Sequence, residues 1–417
     1  MKYANSLKYI NSFDGASTPS ELSNKRIREL CEALGRINVG ARFISVAGNS
    51  AGHASAVMLE SVIGKAGYRV GRITSDAGFD SRATVFINGE IAAIEDYNKC
   101  VAEIKRVVLG TSDTRYLREE VVLALALLLC RLNGCEFIIL EGLTDKDISM
   151  DAVCAPYDLV IVPTEYSSEY SAGIKASCEC IKRGVREVVC GNQKSAVYSE
   201  ISSGCMMVGA RLNVTAKPAF CVSEVTARRA VFSYADREGY VIKSPSLILR
   251  DCAMLVIESA LALRRDGVKM PWGSISEGLE SANNTGCFDI VSLSPAIIMD
   301  SAKSREEIES VISTFEQTVA GLNEITVCTY AQSIEQLSEQ LAAFEDRNIK
   351  SLIVCGVERE KVTKYCKCCC EIFTCQTPQE AAKQVHNASK LSETVFCVGS
   401  VAFGREVKAE FIKLMGL

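Results

Sequence analysis

The chain has 417 residues, 48% of them hydrophobic and 23% charged, enough apolar material for about two or three packed domains. Eight prolines and 28 glycines exclude collagen-like and low-complexity chains. A net charge of −5 provides no basic field for nucleic acid or an anionic membrane surface. Histidine is scarce, with only His53 and His386, so a multi-histidine metal centre or a histidine-bearing triad has almost no material. Cysteine is abundant, with 20 residues. The opening MKYANSLKYINSFDG lacks the apolar stretch and small-residue site of a secretion signal. The longest apolar run, residues 121–130, is about half a membrane span. The expectation is a cytoplasmic chain with reduced thiols.

In chain order, residues 23–34 carry apolar side chains at helical spacing. ARFISVAG reads as a strand, NSAGH as a turn, and ASAVMLESVIGKAG as a helix closed by Gly67. YRVGRIT is a second strand, and TVFINGEI a hairpin turning at Asn88-Gly89. A helix over 116–132 precedes the buried strand CEFIILEG; its leucines and alanines read as core. PYDLVIVP and VREVVCG are further strands. Residues 216–250 alternate as antiparallel strands do, and a helix follows over 251–265. SANNTG, at 281–286, reads as a boundary. Beyond it come strand PAIIMD, helix 305–321, strand EITVCTY, helix 333–346, strands SLIVCG and ETVFCVGS, and helix 405–415. Strands that alternate with helices make parallel sheets. The expected architecture is two α/β domains, 1–286 and 287–417, with a cleft between them.

Several segments, taken together and in order, resemble the folylpolyglutamate synthase/dihydrofolate synthase family, a branch of the Mur ligases. They are YANSLKYINSF with RIRELCEALG, RFISVAG followed by ASAVMLESVIGKAGYRVGRITSD, VFINGEIAAIEDY, FIILEGL, SPAIIMDSAKS and VFCVGSVAFGREV. The resemblance implies a P-loop-type, ATP-binding, parallel-sheet N-terminal domain and a smaller Rossmann-like C-terminal domain. It also implies ligase chemistry: ATP forms an acyl phosphate, and an amine such as that of glutamate attacks it to give an amide.

The residues that handle triphosphate depart from this pattern. The family's loop reads G-T-N-G-K-G-S-T. Here it reads Gly48-Asn49-Ser50-Ala51-Gly52-His53-Ala54-Ser55. Gly52 or, with a one-residue shift that aligns Ser55 with the family's serine, His53 stands where the lysine belongs. A phosphate loop works through backbone N–H groups, a helix N-terminus and a lysine charge. The first two could still make residues 48–53 and Ser55 a nucleotide or anion site; the third is missing. The family's E-V-G-L-G-G becomes Glu141-Gly142-Leu143-Thr144-Asp145-Lys146, which keeps in Glu141 the acid the resemblance links to magnesium. No histidine follows the next strand at Val162-Pro163-Thr164-Glu165-Tyr166. Cys178-Glu179-Cys180 replaces the segment of the modified lysine. Cys252 stands near an adenine-side asparagine, and Gly286-Cys287 near an expected G-R. D-x-A-H-N becomes Asp300-Ser301-Ala302-Lys303-Ser304.

Each feature has a plainer reading: a strand–helix turn at 48–55, and solvated strand-end acids at Glu141 and Asp300. The run Cys366, Cys368, Cys369, Cys370 with Cys375 offers only one zinc-like spacing, against cysteine's common use as a small apolar residue. Lys182, Arg183 and Arg186 read as a solvated face. Two functions follow. One is a pseudoenzyme with the ligase fold that binds a small molecule or a partner protein. The other is an active ATP-dependent amide ligase with ATP and magnesium as cofactors. It would use Glu141 and Asp300 for metal and Lys303 or Lys146 as the replacement cation. A thiol-based metal or redox protein is a third reading.

Overall fold

The β-branched runs noted above form strands because each is apolar on both faces and must be covered on both. The computed structural model describes residues 2–14, 21–47, 50–74, 81–110, 115–143, 154, 156–166, 172–182, 184–216, 219–283, 286–319, 324–365, 370–390 and 394–416. They fall into two compact units. One comprises Met1–Glu165, Tyr170–Lys217 and Cys252–Asn283; the other comprises Tyr166–Glu169, Pro218–Asp251 and Asn284–Leu417. Residues 218–251 thus cluster with the second unit rather than with the segments around them in the chain.

The first unit holds eight strands: β1 (Arg42–Ala47), β2 (Val70–Thr74), β3 (Val85–Ile87), β4 (Glu90–Ile91), β5 (Phe137–Leu143), β6 (Tyr157–Val162), β7 (Val185–Cys190) and β8 (Arg211–Val214). Their order is β4-β3-β2-β5-β1-β6-β7-β8. β2 through β8 in that order run parallel, and β3 and β4 add an antiparallel ribbon at one edge. The ribbon turns at Asn88 (φ 51°) and Gly89 (φ 85°), the paired left-handed residues that a two-residue hairpin requires. Phe43, Ile138, Leu140, Val160 and Val162 alternate onto one face, in one core with residues of helices Ile94–Gly110 and Arg118–Leu132. The helix expected over 116–132 is indeed core: Leu123, Leu125, Leu127 and Leu129 are buried, Leu128 is half-buried and packed against the core, and Leu132 is exposed. The unit also holds helices Tyr3–Ile10, Glu21–Ala33, Ser50–Lys65, Ala172–Lys182, Ser195–Val208 and Trp272–Ser281, and most of Leu247–Arg265. Trp272–Ser281 lies against helix Ser50–Lys65 so closely that a Cβ on Gly278 would stand 2.5 Å from Val62 Cα.

The second unit has two sheets. β9 (Phe220–Thr226), β10 (Arg229–Tyr234) and β11 (Arg237–Ile242) form an antiparallel meander, as the alternation over 216–250 predicts. Phe232 is packed between Phe220 and Tyr240, with ring centroids at 5.0 and 5.5 Å. The larger sheet contains β12 (Asp289–Leu293), β13 (Ala296–Met299), β14 (Ile325–Tyr330), β15 (Ile349–Cys355), β16 (Glu371–Cys375) and β17 (Thr394–Val398), in the order β12-β13-β17-β14-β15-β16. β12 is antiparallel to β13, and the other pairs are parallel. Helices Arg305–Thr318 and Ile334–Ala342 pack in the core of one face, and Pro378–Ala388 and Val401–Met415 in that of the other. This is the doubly wound arrangement expected of the smaller domain.

Local chemistry sets the helix starts. Ser304 accepts from Glu307 N–H while Glu307 reaches back to Ser304 N–H, a capping box. Ser333 and Thr377 cap the next two examples. The last helix begins at Val401 instead of 405 because Ser400 caps it by accepting from Phe403 N–H. The helix expected at 251 begins at Leu247. Among the described residues, no helix is long and apolar enough to cross a membrane.

Candidate functional site

In an open parallel sheet, ligands gather at the carboxyl ends of the strands where the chain switches direction. β1 is that switch: the chain goes next to β2 on one side and later to β6 on the other. Glu141 lies at the carboxyl end of β5, in register with Val46 of β1 and Thr74 of β2. Just beyond it the β1–β5 register slips, and Gly142 takes φ +77°. That left-handed backbone is where glycine is favoured.

Glu141 is buried, and both of its oxygens are occupied. Arg72 Nη1 donates to Oε2 at 2.5 Å. Thr74 Oγ1 donates to Oε1 at 3.2 Å, and His53 Nδ1 lies 2.7 Å from the same oxygen. Arg72, itself only 4% exposed, also donates through Nε to Glu60 Oε2 at 2.7 Å. Glu60 in turn accepts from the Gly89 N–H at 2.6 Å, which ties helix Ser50–Lys65 to the ribbon turn. The Arg72 guanidinium stands 4.2 Å from the Phe86 ring centroid, in cation–π range. The result is a buried chain Gly89–Glu60–Arg72–Glu141–His53. Burial acts to raise the Glu141 carboxyl, but His53 and Arg72 override it by charge and hydrogen bonding and hold it at about 2.

Glu60 and Arg72 escape the sequence reading, although a signal is present. Glu60 interrupts an apolar helix face of Ala56, Met58, Leu59, Val62 and Ile63, and Arg72 interrupts the otherwise uncharged strand β2. Two opposite charges in adjoining core segments have to pair.

At the helix start, Gly48 and Asn49 lie outside the described residues, as does Lys146. Ser50 opens the helix. Ala51 and Gly52 are buried, and the Ala51 carbonyl accepts from the Cys252 thiol at 3.3 Å. His53 reaches Glu141 as described. Ser55 is fully buried, and its hydroxyl has no hydrogen-bond partner among the described residues.

In the second unit, Asp300 directly follows β13 and is buried. Its two oxygens accept from Phe288 N–H at 2.6 Å and Ala302 N–H at 2.7 Å. It holds the turn at Gly286-Cys287, since Ser301 N–H also donates to the Gly286 carbonyl at 2.7 Å. Burial raises the Asp300 carboxyl to about 7 against the two N–H bonds that lower it. Lys303 is exposed. Cys366, Cys368 and Cys369 lie outside the described residues. Cys370 is half-buried and Cys375 is in the apolar core, where burial pushes its thiol up to about 11. Lys182 and Arg186 do pair on the surface, with Glu179 and Asp266; Arg183 lies outside the described residues.

Known structures share the fold. Apo folylpolyglutamate synthase of Lactobacillus casei superposes with a TM-score of 0.78 at 18% identity, over 99% of this chain and 100% of that one. The chain has the folylpolyglutamate synthase fold. The Thermotoga maritima folylpolyglutamate synthase gives 0.76 at 18% identity over 100% and 97% of the two chains. The Mycobacterium tuberculosis enzyme, solved with ADP, gives 0.78 at 15% over 98% of each. No protein-family model matches the sequence, and no curated protein does. The folylpolyglutamate synthase fold is therefore retained at an identity too low to carry the relatives' chemistry across.

Proposed function

We propose that this protein uses the folylpolyglutamate synthase fold to bind a small molecule or a partner protein and does not drive ATP-dependent amide formation. The observation that carries the reading is the saturation of Glu141. A magnesium ion takes carboxylate oxygens in a near-octahedral shell at about 2.0–2.1 Å. To reach Glu141 it would have to displace Arg72 from one oxygen and His53 and Thr74 from the other. It would then stand beside a buried guanidinium of like charge. The residues present do not fit the metal. Asp300 is spent on two backbone N–H groups of its own turn, and neither register of the 48–55 loop supplies a lysine.

The test is calorimetry of the full chain with ATP and excess magnesium, together with an assay for ADP release over folate-like carboxylates and amino acids. The expected result is neither micromolar nucleotide binding nor turnover. Micromolar affinity accompanied by ADP release would overturn the reading. One observation favours the active ligase instead: the buried Ser55 hydroxyl near the start of helix Ser50–Lys65, which has no hydrogen-bond partner among the described residues. If a phosphate oxygen is its missing partner, Ser55→Ala weakens nucleotide binding measured in the same calorimeter.

A further inference from the structure

Helix Arg118–Leu132 ends in a Schellman turn. Cys135 N–H donates to the Cys130 carbonyl at 3.0 Å, and Gly134 N–H to the Arg131 carbonyl at 3.0 Å, with Gly134 at φ +66°. This turn brings the residue just past the helix onto the last turn, a contact that is usually apolar. Here both partners are cysteines. The two side chains face the same point of β2. Gly71 of β2 makes room for them: a Cβ there would stand 2.4 Å from Cys130 Sγ and 3.4 Å from Cys135 Sγ. Two sulfurs that close to one point lie within about 6 Å of each other, on a backbone turn short enough for disulfide geometry.

We propose that Cys130 and Cys135 form a reversible disulfide, a modification site at the junction between helix Arg118–Leu132 and β5, whose far end carries Glu141. Cys135 is the attacking thiol. It is 9% exposed, between the exposed Gly134 and Glu136, whereas Cys130 is fully buried. The neighbouring Cys130 thiol lowers the Cys135 thiol, burial opposes this, and the charge of Arg69 adds to the lowering. The oxidant is a low-molecular-weight disulfide of the glutathione class. Cys135 thiolate attacks one of its sulfurs and expels the first thiolate, leaving a mixed disulfide. Cys130, having lost its proton, attacks the Cys135 sulfur and expels the second. Two protein thiols are oxidised and one disulfide is reduced to two thiols.

The pair Cys328 and Cys397, facing each other across β14 and β17, serves as an internal control. Both are buried in the sheet core at 0% and 1% exposure, with no route for the oxidant. The experiment equilibrates the full-length protein with glutathione disulfide, quenches in acid, alkylates under denaturing conditions and digests for mass spectrometry. The expected result is loss of alkylation at Cys130 and Cys135 together by about tenfold, a linked pair lighter by two hydrogens, and full reversal by dithiothreitol. Cys130→Ser is expected to stop at the glutathione adduct on Cys135. Unchanged labelling of both residues in the wild-type protein, or a disulfide at Cys328–Cys397 in their place, overturns the proposal whatever the variant does.

Discussion

Replacing Arg72 with methionine removes the one cation that two buried carboxylates share. Methionine fills much of the same volume without the charge, so cavity formation contributes little. Glu141 is held at about 2 against an ordinary 4.5. At about 1.4 kcal/mol per pH unit, that depression is worth about 3 kcal/mol of stability, shared between His53 and Arg72. Arg72 also pairs with Glu60, and deleting one member of a buried ion pair costs roughly 3–5 kcal/mol. Because the folded carboxyl is depressed, its contribution is complete above the unfolded value near 4.5 and is lost as pH falls toward 2. Arg72→Met should therefore cost about 3 kcal/mol at pH 7, read as a lower denaturation midpoint in urea at unchanged slope. It should also lose much of the acid limb: with burial no longer opposed by the guanidinium, the variant gains stability relative to wild type as pH falls below 4.5. A loss under about 1 kcal/mol at pH 7, or an acid limb identical to wild type, would refute the claim that this chain of charges is closed and mutually compensated.

Asp300 predicts the opposite sign in a different window. Its folded carboxyl is raised from 3.8 to about 7, so its contribution is complete below 3.8 and is lost as pH rises through 7. Stability should fall between pH 4 and 8, and Asp300→Asn should flatten that slope in parallel urea titrations; an unchanged slope would count against the assignment. Gly278→Ala sets two effects against each other. Alanine favours the helix by about 1 kcal/mol, but its Cβ meets Val62 Cα at 2.5 Å, and an overpacked contact of that kind costs about 1–3 kcal/mol. A net loss on thermal unfolding is expected, and a gain would show that the two helices can part. Gly399→Ala should cost more, since φ is +126° and the Cβ meets the Tyr330 carbonyl oxygen at 2.4 Å; circular dichroism melts of the two variants give the ranking.

Much of the fold was legible because it rests on patterns a few residues long. VREVVC and TVFCV alternate with amphipathic helices, and Asn88-Gly89 can hardly be read except as a tight turn. Helix Trp272–Ser281 was not legible. Its apolar face is short, and what fixes it is the contact of Gly278 with a helix more than 200 residues earlier in the chain. Of the candidate site, Glu141 could be found from its place at a strand end and from the resemblance. Its partners could not be assigned, because Glu60, Arg72 and His53 meet only when β2 and β5 pair and the helix covers them. Asp300 was legible as a strand-end acid, but its use as an acceptor for Phe288 and Ala302 depends on backbone geometry that residue types do not disclose.

The close seating of Gly278 on Val62 bears on how helix Ser50–Lys65 can behave. The helix is clamped in its last turn by that backbone contact, at its first turn by the Cys252 thiol on Ala51, and on its flank by Glu60 bridging to Arg72 and Gly89. A rod fastened near both ends neither pistons nor rolls. Any molecule that docks at its amino end meets amides already fixed in direction, and complex formation there spends little entropy on ordering the host.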